Sequence, residues 1–424
     1  MNRESRIRPR LVRRVLACVT TLLVSVAMQT LTPGCAFPPL DGGNGGTNTD
    51  DPTNGGATYL QSAACAACHP AYAARHAVHG HSQILKKLAG GPPSYPADGA
   101  RAGVPKPPEG TSWYDVRFVI GGYRHKALFL DDRGYVMTDG VDGVNTQWDL
   151  GFLPIGAAGW ASYLPDQIDP KPYELDCLRC HTTGPDPTGS QDSLVGIEGT
   201  FVEPGVQCEA CHGPGSNHVP NPPSNIYVNT GAAFCGECHS RSGDVDVIPA
   251  EDGYIRSEGQ YQELLASPHA DFSCLTCHDA HASVTYDRDN AIINECSACH
   301  TEQNMALHEG EVYVQGDYVE RLTCESCHMP FATRSARAAG EAVVGPLGRM
   351  GDVRTHLWSI NTDETDYTAM FSADGTHVAK DAQGKAAVTV DFVCIRCHND
   401  IGNAFALTVK SASNVAPQIH ETTP

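Results

Sequence analysis

The sequence predicts a chain that is mainly α with extensive coil, carries one small β-hairpin near 113–138, and folds around something other than an oily core. Three observations predict this. Aromatic residues make up only 7% of the 424, while 42 glycines and 29 prolines break up long regular elements. One five-residue motif, C-x-x-C-H, recurs eight times, and each copy suits a single helical turn. From Trp113 onward one stretch alternates apolar and polar residues with the period of a strand.

The N-terminus reads as an export signal over residues 1–35. Arg3, Arg6, Arg8, Arg10, Arg13 and Arg14 form its charged start, and Val15 to Met28 is an apolar run too short to span a bilayer. Leu31-Thr32-Pro33-Gly34-Cys35 resembles a lipoprotein cleavage box, with Cys35 as the lipidated residue and a membrane attachment point. Ordinary cleavage nearby is the alternative. Residues 36–57 are rich in Gly, Asn and Thr and read as a flexible linker. The formal net charge of −20 includes the basic leader, so the remainder is more acidic still. Such a chain repels phosphate backbones, which excludes nucleic acid as a partner.

The folded part starts near Tyr59. Residues 90–111 read as loop. Val116, Phe118 and Ile120 alternate, Gly121 and Gly122 break the run, and Ala127 to Leu130 resume it. Short helical stretches are expected over 70–88 and 402–410.

The motif itself is the main chemical signal. Its cysteine pairs are Cys65 and Cys68, Cys177 and Cys180, Cys208 and Cys211, Cys235 and Cys238, Cys274 and Cys277, Cys296 and Cys299, Cys324 and Cys327, and Cys394 and Cys397. The histidine that follows is, in turn, His69, His181, His212, His239, His278, His300, His328 and His398. Two thiols three residues apart on one turn reach the two vinyl groups of a haem, and the next residue points at the iron. A zinc half-site or a redox pair shares the C-x-x-C spacing but does not require the histidine. Eight copies therefore predict eight covalently bound haem c groups in a multihaem cytochrome c fold built around packed haems. Haem c is attached outside the cytoplasm, in keeping with the leader. The chain is expected to be exported, as a periplasmic protein or an anchored lipoprotein.

Eleven histidines lie outside the motifs, a surplus that suits bis-histidine ligation. His218, His269, His281, His356 and His308 are the predicted distal ligands. Near the N-terminus His81 is preferred over His79, with His76 a third choice. His420 and His125 are weaker candidates, and His377 reads as exposed. Met305, Met329, Met350 and Met370 are alternative ligands or packing residues.

Tyr114-Asp-Val-Arg-Phe-Val-Ile-Gly-Gly-Tyr, Thr146-Gln-Trp, Cys180-His-Thr-Thr-Gly and Gly205-Val-Gln-Cys-Glu-Ala-Cys-His-Gly-Pro-Gly-Ser-Asn-His together resemble the cytochrome c-552/c-554 family. The resemblance covers about residues 60–240 and implies closely packed haem pairs, with His218 as an axial ligand. It suggests a four-haem domain over 58–240 and a second four-haem region over 241–424. Where the family often has an aromatic residue, this chain has His125.

Two functions remain in view. The first is electron transfer between redox partner proteins outside the cytoplasm. The alternative is an oxidoreductase acting on a small nitrogen or sulfur compound at a haem with an open axial position. No catalytic residue is assigned from sequence.

Overall fold

The alternation after Trp113 is where the regular structure concentrates. In the computed structural model, residues 48–49, 51–96, 103–220, 222, 226–305, 308–336 and 348–420 are described. The export signal, Cys35 and the linker up to residue 47 lie outside them. A two-residue strand, β1 (Asn48–Thr49), pairs in parallel with Ile226–Tyr227. At the end of the expected linker, Asn54 is buried, and its amide donates to the carbonyls of His212 and Pro214 at 2.9 and 2.8 Å.

The predicted hairpin forms from β3 (Val116–Gly121) and β4 (Lys126–Asp131), but it is the centre of a larger sheet. β2 (Leu85–Lys87) pairs beside β3, and β5 (Gln147–Asp149) and β6 (Gly159–Ala161) continue from β4. All four pairings are antiparallel. Both faces are covered. Phe118, Ile120 and Leu130 bury on one face with Tyr173, Leu178, Ile197 and Phe201. Val119, Ala127 and Phe129 bury on the other, with Trp113, Trp148 and Trp160 against them. The period of two places successive side chains on opposite faces, which is why a short alternating run can serve two small cores.

The turn between β3 and β4 depends on glycine. Gly121 has φ +74°, and a Cβ there would sit 2.5 Å from the Lys126 carbonyl oxygen. Gly121→Ala is expected to destabilise the fold by roughly 1–2 kcal/mol for the left-handed backbone alone, with the clash in addition. A denaturant midpoint equal to wild type would contradict this.

The expectation of a mainly α chain is overturned. The structure is 24% helical and 18% strand, with several sheets. The longest helix among the described residues is Pro70–Ala77. The expected helix over 70–88 ends there, gives a short turn at Gly80–Gln83, and becomes β2. The stretch 402–410 is mostly irregular, and the helix lies later, at Val409–Val415. The reason is physical. A helix of a few residues is marginal without an apolar stripe to bury. Here the helical turns that carry a motif are short and end at or near it.

Thr47–Pro424 groups as one compact unit. A further core joins Ile248, Tyr254, Ile255, Leu357, Met370, Val388 and Phe392.

Candidate haem-binding sites

Each motif starts on a tight helical turn. The backbone N–H of His69, His239, His278, His300 and His398 donates to the first cysteine's carbonyl of its own motif at 2.9–3.0 Å. That bond closes one α-turn and aims both thiols and the imidazole outward from it. The second motif is anchored in the sheet. Its helix, Leu175–His181, buries Leu178 completely in the face of the sheet that carries Phe118 and Leu130.

Motif turns from different parts of the chain meet. The side chains of Cys65 and Cys208 lie close together, as do those of Cys180 and Cys238 and those of Cys235 and Cys274. Groups carried by these motifs therefore lie side by side.

Seven motif histidines face a second histidine across a nearly constant gap. His69 faces His218 at 6.4 Å between ring centroids, and His239 faces His81 at 5.9 Å. His212 faces His281 at 6.1 Å, and His278 faces His356 at 6.4 Å. His300 faces His269 at 6.0 Å, and His398 faces His308 at 6.2 Å. His328 faces His420 at 5.8 Å. Two imidazoles bound to one metal with bonds of about 2 Å put their centroids roughly 6 Å apart. The residues present therefore fit an iron between each pair.

The remaining ring nitrogens support that fit. Nδ1 of His212 meets the Tyr227 carbonyl at 3.0 Å, that of His328 meets Trp358 at 2.9 Å, and that of His398 meets Phe405 at 2.7 Å. His239 uses the Gln260 side chain at 3.1 Å. Such bonds orient a ring and leave Nε2 for the metal. Nδ1 of His269, His308 and His356 is buried without a hydrogen-bond partner. Burial also pushes His356 down to about 3, so it is neutral, as a ligating imidazole must be. Its backbone N–H donates to the buried Glu263 carboxylate at 2.6 Å, which fixes its place. A cavity of about 590 Å³ opens between Cys296 and Cys324.

His181 is different. Its Nδ1 meets the Tyr173 hydroxyl at 2.6 Å, and among the described residues no second histidine faces it. Burial pushes it down to about 4.

The other candidates fall outside these pairs. His79 lies between His76 and His81, and its Nδ1 accepts from the His81 backbone. His76 meets the Val206 carbonyl at 3.0 Å. His125 pairs with Asp352. Met350 and Met370 are packed in apolar clusters. His420 is the residue that sequence reasoning underrated. It carries no motif signal, and only the path of the C-terminal segment brings it to His328.

The turns, the thiols and the facing rings define a protein that holds several haems in close order. The chain is a multihaem c-type cytochrome, and its haem c is bound covalently. Residues 164–213 match the family described as cytochrome c554 and c-prime. The chain is 24% identical over 202 residues to the multiheme cytochrome MtrA of Shewanella baltica, covering 44% of this chain and 54% of that one. It is 24% identical over 246 residues to the dissimilatory sulfite reductase MccA of Wolinella succinogenes, covering 46% and 33%. The matches thus span about half and a third of those relatives. The solved structure of the W. succinogenes octaheme sulfite reductase MccA superposes with a TM-score of 0.53 at 16% identity, over 89% of this chain and 72% of that one. That likeness concerns the fold.

Proposed function

We propose that the chain is an octahaem c-type cytochrome in which seven bis-histidine haems carry electrons and one haem, at Cys177–His181, is open to a small compound of nitrogen or sulfur. One observation carries the reading: seven motif histidines face a second histidine at 5.8–6.4 Å, and His181 faces none among the described residues. In this reading the sixteen motif cysteines hold the haems. His81, His218, His269, His281, His308, His356 and His420 are the distal ligands.

Paired imidazoles give low-spin iron suited to electron exchange, and an iron with one open side can take a substrate atom. The bound haem supplies the redox change at that position. The chain's own residues set its access and orientation. Tyr173 fixes the His181 ring, and the sheet face around Leu178 anchors the motif. The relative named as a sulfite reductase supports an enzymatic role for such an arrangement. The arginine-rich leader and the covalent haem support export, with Cys35 as a lipid anchor. The acidic surface suits redox partners with a basic face.

Haem analysis of the purified protein is expected to give eight haems per chain. Electron paramagnetic resonance of the oxidised form is expected to show one high-spin haem among low-spin ones. The reduced protein is expected to turn over at least one of nitrite, hydroxylamine, tetrathionate or sulfite. Eight low-spin haems and no turnover would leave electron carriage alone as the function, the role that the likeness to MtrA favours.

A further inference from the structure

Trp358 touches candidate ligands of three haem motifs. Its carbonyl accepts from Nδ1 of His328 at 2.9 Å. Its indole meets His269 at 4.8 Å between ring centroids, 85° from parallel, and His356 at 5.3 Å, 87° from parallel. His328 belongs to the motif at Cys324. His269 faces His300 of the motif at Cys296, and His356 faces His278 of the motif at Cys274. One residue outside every motif thus borders a ligand from each of three consecutive motifs.

The backbone is bent to allow this. Trp358 has φ +55°, and the Ser359 N–H donates to the Leu357 carbonyl at 2.7 Å, which closes a three-residue turn centred on the tryptophan. A positive central φ is the rarer and more strained hand of such a turn, and it persists only where the surroundings enforce it. They do so here. Leu357 is fully buried in the core with Tyr254 and Phe392, and Ile360 pairs with Val388 just after the turn. On the earlier side, the Glu263 carboxylate accepts from the Thr355 hydroxyl and the His356 backbone N–H.

Packing is the bland role for a tryptophan. Trp113, Trp148 and Trp160 fill it, against the apolar residues on one face of the sheet. Trp358 joins none of the apolar clusters among the described residues, and the aromatic rings it meets there are both imidazoles. Those two imidazoles share a further property. Nδ1 of each is buried without a hydrogen-bond partner, whereas a backbone carbonyl orients His212, His328 and His398 through that nitrogen. For His269 and His356 the edge-to-face contact with the indole takes the place of that bond. His269 has a second aromatic neighbour in Phe272, at 5.3 Å.

We infer that Trp358 is a positioning residue whose ring sets the axial planes of the haems at Cys274 and Cys296, while its carbonyl holds His328 at the haem of Cys324. The inference rests on the bis-histidine reading above. The facing rings make three different angles: 41° for His278 and His356, 75° for His300 and His269, and 15° for His328 and His420. The angle between two axial imidazoles sets the splitting of the iron orbitals that gain and lose the electron. Holding the rings therefore holds the electronic character of each haem.

Electron paramagnetic resonance of the oxidised, haem-loaded protein reads those angles, because the low-field g value of a low-spin haem rises as its axial planes turn from parallel to perpendicular. His356→Ala and His269→Ala are each expected to convert one low-spin haem to high spin, which assigns the two signals concerned. Trp358→Gly keeps the carbonyl for His328, tolerates the positive φ and removes the indole. It is expected to shift or broaden both assigned signals, that of the Cys274 haem more, because His269 keeps Phe272. The other low-spin signals should stay in place and so report that the variant is folded. Trp358→Phe restores an aromatic edge and should return both signals toward wild type. If Trp358→Gly leaves both assigned signals at their wild-type g values, or moves every low-spin signal alike, the inference is overturned and the bis-histidine reading stands. Should the glycine variant fail to fold, Trp358→Leu, which keeps bulk without an aromatic edge, decides by the same criteria. If neither alanine variant loses a low-spin signal, the ligand reading falls and the inference with it.

Discussion

Replacing Arg396 by leucine is expected to cost the folded chain about 3–5 kcal/mol, the penalty for leaving a buried charge without its partner. Arg396 is 2% exposed and lies inside the last motif, between Cys394 and Cys397. Its guanidinium grips Glu320 with two bonds, at 2.7 and 3.1 Å, and donates to the Ser326 carbonyl inside the preceding motif at 3.0 Å. Glu320 also accepts from Tyr318 at 2.7 Å, Ser326 at 2.8 Å and Arg354 at 3.1 Å. The network therefore locks two motif turns to one strand. Arg354 remains in the variant but gives Glu320 a single bond from a side chain 30% exposed, so it recovers only part of the loss. Changing Glu320 to leucine together with Arg396 should restore much of the stability, because no charge is then stranded. Denaturant unfolding followed by circular dichroism measures both, and a single variant as stable as wild type would refute the argument.

The same network fixes an acid response. Burial pushes Glu320 up, but Arg396 and Arg354 outweigh it and bring it down to about 2 from 4.5. Its folded value lies below its unfolded value, so its stabilisation is complete above about pH 4.5 and is lost as pH falls toward 2. That shift corresponds to about 3 kcal/mol. Glu320→Gln should flatten this part of the acid-unfolding profile while lowering stability at neutral pH.

Replacing His420 by alanine is expected to create a second high-spin haem. The His420 ring lies 15° from parallel to His328, and its Nδ1 is held by the Asn304 carbonyl at 2.6 Å. The segment that brings it there is anchored by Ala412, buried with Val390 and Ile395, and by Ser413, whose hydroxyl donates to the Asp363 carbonyl at 3.0 Å. On the other face His328 keeps its bond to Trp358, so the haem should stay in place with one side vacated. Cyanide binding to the oxidised protein should rise from one equivalent to two, and paramagnetic resonance should show the added high-spin signal. One equivalent in both proteins would remove His420 from the ligand set.

The two halves of each candidate iron site were unequally legible. Cys177, Cys180 and His181 announce themselves because thioether chemistry demands a fixed local spacing, and a local spacing is visible in one dimension. Distal residues obey no such rule. His218 could be singled out from the Gly-Pro-Gly string before it, and His269 and His281 from their nearness to a motif. Yet His269 faces His300 and His281 faces His212, neither being the motif histidine between them. His420 has no local sign at all. The hairpin was legible for the same reason as the motifs, since alternation is local. Its growth into five strands was not, because β2, β5 and β6 are three residues each and owe their pairing to neighbours. The mainly α reading failed because helical turns were inferred from motifs that need only one turn.

What the sequence determined by itself is the class of cofactor: the C-x-x-C-H motif, repeated eight times on an acidic chain, marks a binder of covalent haem c. What only the tertiary structure decided is which histidines face which, and that among the described residues none faces His181. Covalent attachment is settled within five consecutive residues. A facing pair of rings joins two residues that can be more than a hundred positions apart, as His69 and His218 are, and only the folded backbone brings them to 6.4 Å.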